Sequence, residues 1–112
     1  MLAKTGYPSD LSRIQKMADE TMSMVKNSVE AYLEKDMQKA SAVIRQDDVV
    51  DEYFRQVKKD VIRQINENIQ NGEQATDVLM IVKYLERIGD HATNIAEWVL
   101  FYLTGGHPDV TE

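Results

Sequence analysis

Cysteine is absent from the 112 residues, which excludes a disulfide framework and any cysteine-ligated zinc site. Proline occurs only at Pro8 and Pro108, close to the two ends. Glycine is confined to Gly6, Gly72, Gly89, Gly105 and Gly106, so little punctuates the chain and long helices are favoured. The apolar run Val78–Val82 falls far short of the roughly 20 residues that cross a bilayer. No basic segment followed by an apolar run opens the chain, so no secretory signal is read. A cytoplasmic location is expected, peripheral to a membrane at most. Positive charge is scarce as well: 13 Lys and Arg against 19 Asp and Glu leave a net charge of -6. Such a chain repels phosphate backbones, which argues against nucleic-acid binding, and repels free phosphate unless a metal or a local basic pocket intervenes. Also missing are a nucleophile–base pair, a phosphate-cradling glycine loop and a nucleotide motif, which favours an interaction protein over an enzyme. No strand pattern and no internal repeat are visible.

What is present suits one soluble domain: 43% hydrophobic and 29% charged residues. Leu11, Ile14, Ala18, Val25, Val29 and Tyr32 recur at helical steps and predict a first helix from about Asp10 to Leu33, with Ser9 as its N-cap. Lys35 and Asp36 form a tight connection, with Asp36 as the next cap. The second helix is expected from about Met37 to Gln70, burying Val43, Val50, Phe54, Val57, Val61 and Ile65. Asn71-Gly72 reads as a stop, because both residues tolerate positive φ. The third helix is expected from about Gln74 to Leu103 along Ile81, Leu85, Ile88, Ala92, Ile95, Val99 and Tyr102, and Gly105-Gly106 ends it. Short connections make neighbours antiparallel. The expected fold is all-α, an antiparallel three-helix bundle of long, spectrin-repeat-like helices over residues 9–105, flanked by tails at 1–8 and 106–112. Met17, Met22, Met24, Met37 and Met80 are read as core or interface filler.

The third helix is apolar over about 200° of its wheel, more than a surface helix needs. Val78, Val82, Ala96 and Leu100 flank the main stripe on one side; Tyr84, Trp98 and Tyr102 flank it on the other. The excess predicts a further packing partner, either another repeat or another subunit, against the blander reading of a helix buried between two neighbours.

Glu86, Asp90, Asn94 and Glu97 share an arc of about 80° on the third helix. Carboxylates one turn apart can hold a hard cation together, although an acidic outer face is also what any amphipathic helix carries. Asp47 and Asp51 on the second helix are one turn apart too, yet fall in or beside the apolar stripe. A carboxylate there must be paired, hydrated or metal-bound. Two readings stay open: a metal site built from Asp47, Asp51, Glu86 and Asp90, widened by Asp48, Asn94 and Glu97, or a structural ion-pair network in which Arg87 is the partner. Oxygen-rich ligation suits Mg, Mn, Ca or iron. No organic cofactor is implied. His91 projects between the acidic arc and the apolar stripe and is expected to be partly buried. His107 is expected to be solvated in the tail.

The run Tyr84-Leu85-Glu86-Arg87-Ile88-Gly89-Asp90-His91-Ala92-Thr93-Asn94-Ile95-Ala96-Glu97 resembles the signature of the PhoU family. Asp47-Asp48-Val49-Val50-Asp51, followed by Tyr53, resembles the family's acidic segment on its second helix. Trp98 through Gly105 resembles the end of its C-terminal repeat. The resemblance covers about Ser9 to Gly105. It implies a negative regulator of phosphate uptake and phosphate-response signalling. Such a regulator acts as an adaptor between the ATPase of the phosphate ABC transporter and a sensor kinase, with no firm catalytic reaction. It also implies Glu/Asp-x-x-x-Asp pairs that in some members hold iron or other metal clusters, Zn included, and these map to Asp47, Asp51, Glu86 and Asp90. Most members hold two three-helix repeats where this chain holds one. A fragment or a single-repeat relative is therefore expected, with self-association or a second repeat against the third helix. Tyr84, Gly89, Trp98 and Tyr102 are the expected partner face, Gly89 letting another helix approach closely.

Two other functions compete. A carboxylate-bridged metalloenzyme would need a Glu-x-x-His motif, but Ile88 stands three residues before His91. A histidine phosphotransfer module would need His91 exposed with basic residues beside it, and only Arg87 is near.

Overall fold

The computed structural model describes residues 8–105. Three helices follow one another: α1 Pro8–Glu34, α2 Met37–Glu67 and α3 Gly72–Leu103, with a 3-10 turn at Ile69–Asn71 before α3. Each helix packs on the other two, and no strand occurs among the described residues. The antiparallel three-helix bundle expected from the sequence is the fold observed. It is a rod of 55 × 26 × 16 Å with a radius of gyration of 17.2 Å, well above the ~13 Å of a compact domain of about 100 residues.

The connections differ in how they are made. Lys35 takes φ 56 after α1, and the Asp36 N–H donates to the Ala31 carbonyl at 3.0 Å. This left-handed closure reverses the chain in two residues. Asp36 then caps α2, its carboxylate accepting from the Lys39 N–H at 3.0 Å, as its place before the second apolar stripe predicts. The α2–α3 corner departs from expectation. α2 stops at Glu67, and Asn68 accepts from the Gln70 N–H at 3.0 Å. Gly72 has φ -59 and opens α3, so positive φ is not used there. α1 begins at Pro8, which puts Ser9 inside the helix rather than at its cap; proline suits a first helical position because its missing N–H would have no partner there. The tails at 1–7 and 106–112, with His107, lie outside the described residues.

Apart from Met17 and Met24, the core is built from valine and alanine. Met17, Met24 and Ala31 of α1 meet Val43, Val50, Val57 and Val61 of α2 and Val78, Val82, Ala92, Ala96 and Val99 of α3. The α3 stripe is thereby rotated from the expected one. Val78, Val82 and Ala96, expected as a flank, are buried, whereas Ile81, Ile88, Ile95 and Tyr102 are exposed. Val29 and Tyr32 of α1 are likewise exposed. The reason is steric: the separation of packed helices is set by the side chains between them, and small residues let three long helices close together. Met17 and Met24 fill that core, while Met22, Met37 and Met80 remain exposed.

Candidate functional site

Rotation of α3 brings its acidic arc to the seam with α2. Asp47 lies half-buried there, and burial is the first cause that pushes its carboxyl up to about 6. Repulsion from Asp51, Asp90, Asp48 and Glu86 adds to it, in that order. Asp51 is raised as well, by burial first and then by Asp90, with Arg55 pulling the other way. The four carboxylates singled out in the sequence are therefore electrostatic neighbours across the α2/α3 seam.

The pairing partners proposed for them are elsewhere. Arg87 is exposed and forms no ion pair among the described residues, so the Arg87 network is not the one the structure builds. Its position on the wheel explains this: it points away from α2. Arg55 is held by Glu52 at 2.7 Å, and Lys83 stands 3.6 Å from Glu86 while covering the Phe54 ring. No ion pair reaches Asp47, Asp51 or Asp90 among the described residues. Asp47 Oδ1 is buried without a hydrogen-bond partner, and so is Thr93 Oγ1 on α3. Asp60, buried on the same helix, shows the contrast: Arg13 and Arg63 both hold it, the latter at 3.2 Å.

Gly89 is also turned inward. A Cβ there would lie 3.7 Å from Asp47 Oδ1 and Met24 Sδ and 3.8 Å from Val50 Cγ1. The close approach read from this glycine is made to α2 of the same bundle, so Gly89 is not part of an exposed partner face. Tyr84, Trp98 and Tyr102 are exposed on the outer side of α3. His91 is exposed too, not partly buried. Asn94 and Glu97 are exposed farther along α3 and make no hydrogen bond to the seam among the described residues. Sequence reading missed Thr93, whose spacing four residues after Gly89 places it on the same inward edge.

The donors are hard oxygens, and those of Asp47, Asp51 and Asp90 have no ion-pair partner among the described residues, which is the chemistry a hard cation takes. Among the described residues, however, no group of three or more His, Asp and Glu side chains is placed to hold one ion. The seam supplies the donor set without a preformed cage.

Residues 14–99 match the PhoU domain family. The chain belongs to the PhoU family. It is 33% identical over 102 residues to a phosphate-specific transport system accessory protein PhoU homolog of Clostridium acetobutylicum, covering 91% of this chain and 47% of that protein. A homolog of the same description from Caulobacter vibrioides is 36% identical over 106 residues, 94% of this chain and 46% of its own length. One from Rhizobium meliloti is 30% identical over 108 residues, 96% and 46% respectively. The chain thus spans under half the length of these PhoU relatives. No helix among the described residues is long and apolar enough to cross a membrane.

Proposed function

We propose that this PhoU unit serves a phosphate-specific transport system as a cytoplasmic regulatory adaptor, not as an enzyme. It restrains uptake by binding the transporter ATPase and a phosphate-response sensor kinase. The observation that carries the reading is the family match over residues 14–99, with relatives described as phosphate-specific transport system accessory proteins. The acidic chain gives free phosphate no basic cradle, which favours regulation through protein contacts over direct phosphate capture. Pull-down of the purified chain against the ATPase and the kinase tests this; retention of neither rejects it.

The α2/α3 seam is the candidate cation site of that adaptor. Asp47, Asp51, Glu86 and Asp90 would hold the ion, which would supply the positive charge that Asp47 and Asp51 lack. The unpartnered Asp47 Oδ1 and the mutual repulsion of the carboxylates support it. The side chains must rotate to converge, so loading should order the seam. Substituting Asp51 and Asp90 by Ala should abolish uptake of Fe, Mn, Mg, Ca or Zn measured by elemental analysis. Unchanged stoichiometry would reject the site.

A further inference from the structure

Three stretches of surface remain once the core is set aside. The carboxylate seam lies between α2 and α3. An apolar strip lies between α3 and α1, where Tyr32 and Leu33 meet Ile95, Trp98 and Tyr102; it is the face on which the family resemblance expects a further repeat. The third is the outer face of α2 beyond Glu52, and its charge is opposite to that of the chain as a whole. Arg55, Lys59 and Arg63 follow one another at one-turn spacing, Lys58 lies beside them, and all four are exposed. Between Arg55 and Asn66 the sequence offers a single carboxylate, Asp60. Its side chain is only 7% exposed. A run of exposed cations without an exposed carboxylate therefore sits in a chain of net charge -6.

Much of this charge is not spent inside the bundle. Arg55 is held by Glu52 at 2.7 Å, but Lys58 and Lys59 form no ion pair among the described residues. Arg63 reaches Asp60 at 3.2 Å and stands 3.9 Å from Glu67. Asp60 also holds Arg13 of α1, so one buried carboxylate braces two guanidinium groups that stay 43% and 55% exposed. Each guanidinium carries five N–H donors, and Asp60 engages one nitrogen of each. The trio of Arg13, Arg63 and Asp60 thus keeps a net positive charge at a fixed place. Like charges one turn apart work against the free helix, and an anion laid over them turns repulsion into attraction. Ile62, 48% exposed, adds an apolar spot three residues after Lys59 and four after Lys58.

We infer that this face of α2 is a docking ridge for a short acidic segment of a partner protein, one that carries carboxylates a helical turn apart around an apolar side chain. Charge complementarity names the class of partner. Extent limits its size. Arg55 to Arg63 spans about 12 Å of helix axis, and exposed carboxylates close both ends, Asp48 and Glu52 before it and Glu67 after it. A nucleic-acid backbone or an anionic lipid plane is longer than the ridge and would press on those carboxylates too. A convex ridge touches a small anion from one side only, so it makes no cradle for free phosphate. A segment with two or three carboxylates stays within the basic stretch and can seat its apolar side chain on Ile62. The inference rests neither on the adaptor reading nor on a metal, because capture is measured with a peptide alone.

Fluorescence anisotropy of a labelled helical peptide, with glutamates one turn apart around a leucine, titrated with the full chain in chelator, tests it. Saturable binding is expected, weakening as salt is raised. Lys59→Glu should weaken it by at least about tenfold, with helical circular dichroism retained, and Ile62→Ser should weaken it without changing charge. Lys58→Gln serves if Lys59→Glu loses helicity. Arg87→Glu, which changes net charge equally but lies on α3, should leave binding intact. No binding at low salt overturns the inference, and so does an equal loss in Lys59→Glu and Arg87→Glu. Sedimentation with phosphatidylserine vesicles that Lys59→Glu abolishes would assign the ridge to a membrane and overturn it as well.

Discussion

Two aspartates on α2 show how much a single carboxylate depends on what faces it. Asp60 is buried and held by two guanidinium groups. Asp47 is half-buried, and its inner oxygen has no hydrogen-bond partner among the described residues. With its carboxyl raised from 3.8 to about 6, the folded state binds the proton more tightly than the unfolded chain. The sign follows: the metal-free protein gains from Asp47 at acid pH and loses that stability as pH rises through about 6. Linkage alone would put the loss near 3 kcal/mol, and partial exposure discounts it to about 1 kcal/mol. Asp47→Asn should therefore raise the thermal midpoint at about pH 7.5 by several degrees in chelator and change it little near pH 4. Circular dichroism melts at both pH values check this, and a lowered midpoint at the higher pH contradicts it. The pair spacing of Asp47 and Asp51 was legible in the sequence. The absence of an ion pair to either among the described residues was not, because Arg87 lies next to Glu86 along the chain yet points away from α2.

The decisive feature at the level of the helices is the rotation of α3. Hydrophobicity favours Ile81, Ile88, Ile95 and Tyr102 as the inner stripe, but Val78, Val82, Gly89, Ala92 and Ala96 occupy it. Close packing of long helices selects for small volume, and transfer energy alone does not register that. Gly89 lies in that contact, buried against α1 and α2. The space beside it admits a methyl group at ordinary van der Waals distance, 3.7 Å from Asp47 Oδ1 and Met24 Sδ. Gly89→Ala should be neutral or stabilising by up to about 1 kcal/mol, since alanine favours helix. Gly89→Leu should cost about 1–3 kcal/mol by forcing α2 away. Urea unfolding of the two variants distinguishes this from an exposed glycine, at which both substitutions would stabilise. The two turns differ in how plainly residue type marks them. Asp36 announces itself as a cap by residue type and position, whereas Asn71-Gly72 has stop chemistry that the corner does not use, because Asn68 has already closed it.

The whole rod separates two surfaces by the width of one helix. The acidic seam lies between α2 and α3, the apolar strip between α3 and α1. Because they share no side-chain partner, substitutions on the two should combine additively within about 0.5 kcal/mol. Trp98→Glu should leave cation stoichiometry unchanged, and Asp51→Ala combined with Trp98→Glu should unfold at the midpoint expected from the single variants. Elemental analysis and thermal melts of the three proteins measure this; a marked departure from additivity would place the two surfaces in one cooperative unit.

By itself the sequence determined the helical class, the number of helices, the Asp36 cap, the family and the residue types available for cation chemistry. Helical period and capping are local properties, and the signature run is contiguous, so none of these needs a third dimension. Only the tertiary structure decided which α3 stripe is inside, that Asp47 faces Gly89 without a counter-charge, and that the largest apolar side chains line an open flank. Those facts depend on the rotation of each helix about its own axis, and that rotation is chosen by the joint volume of three packed surfaces.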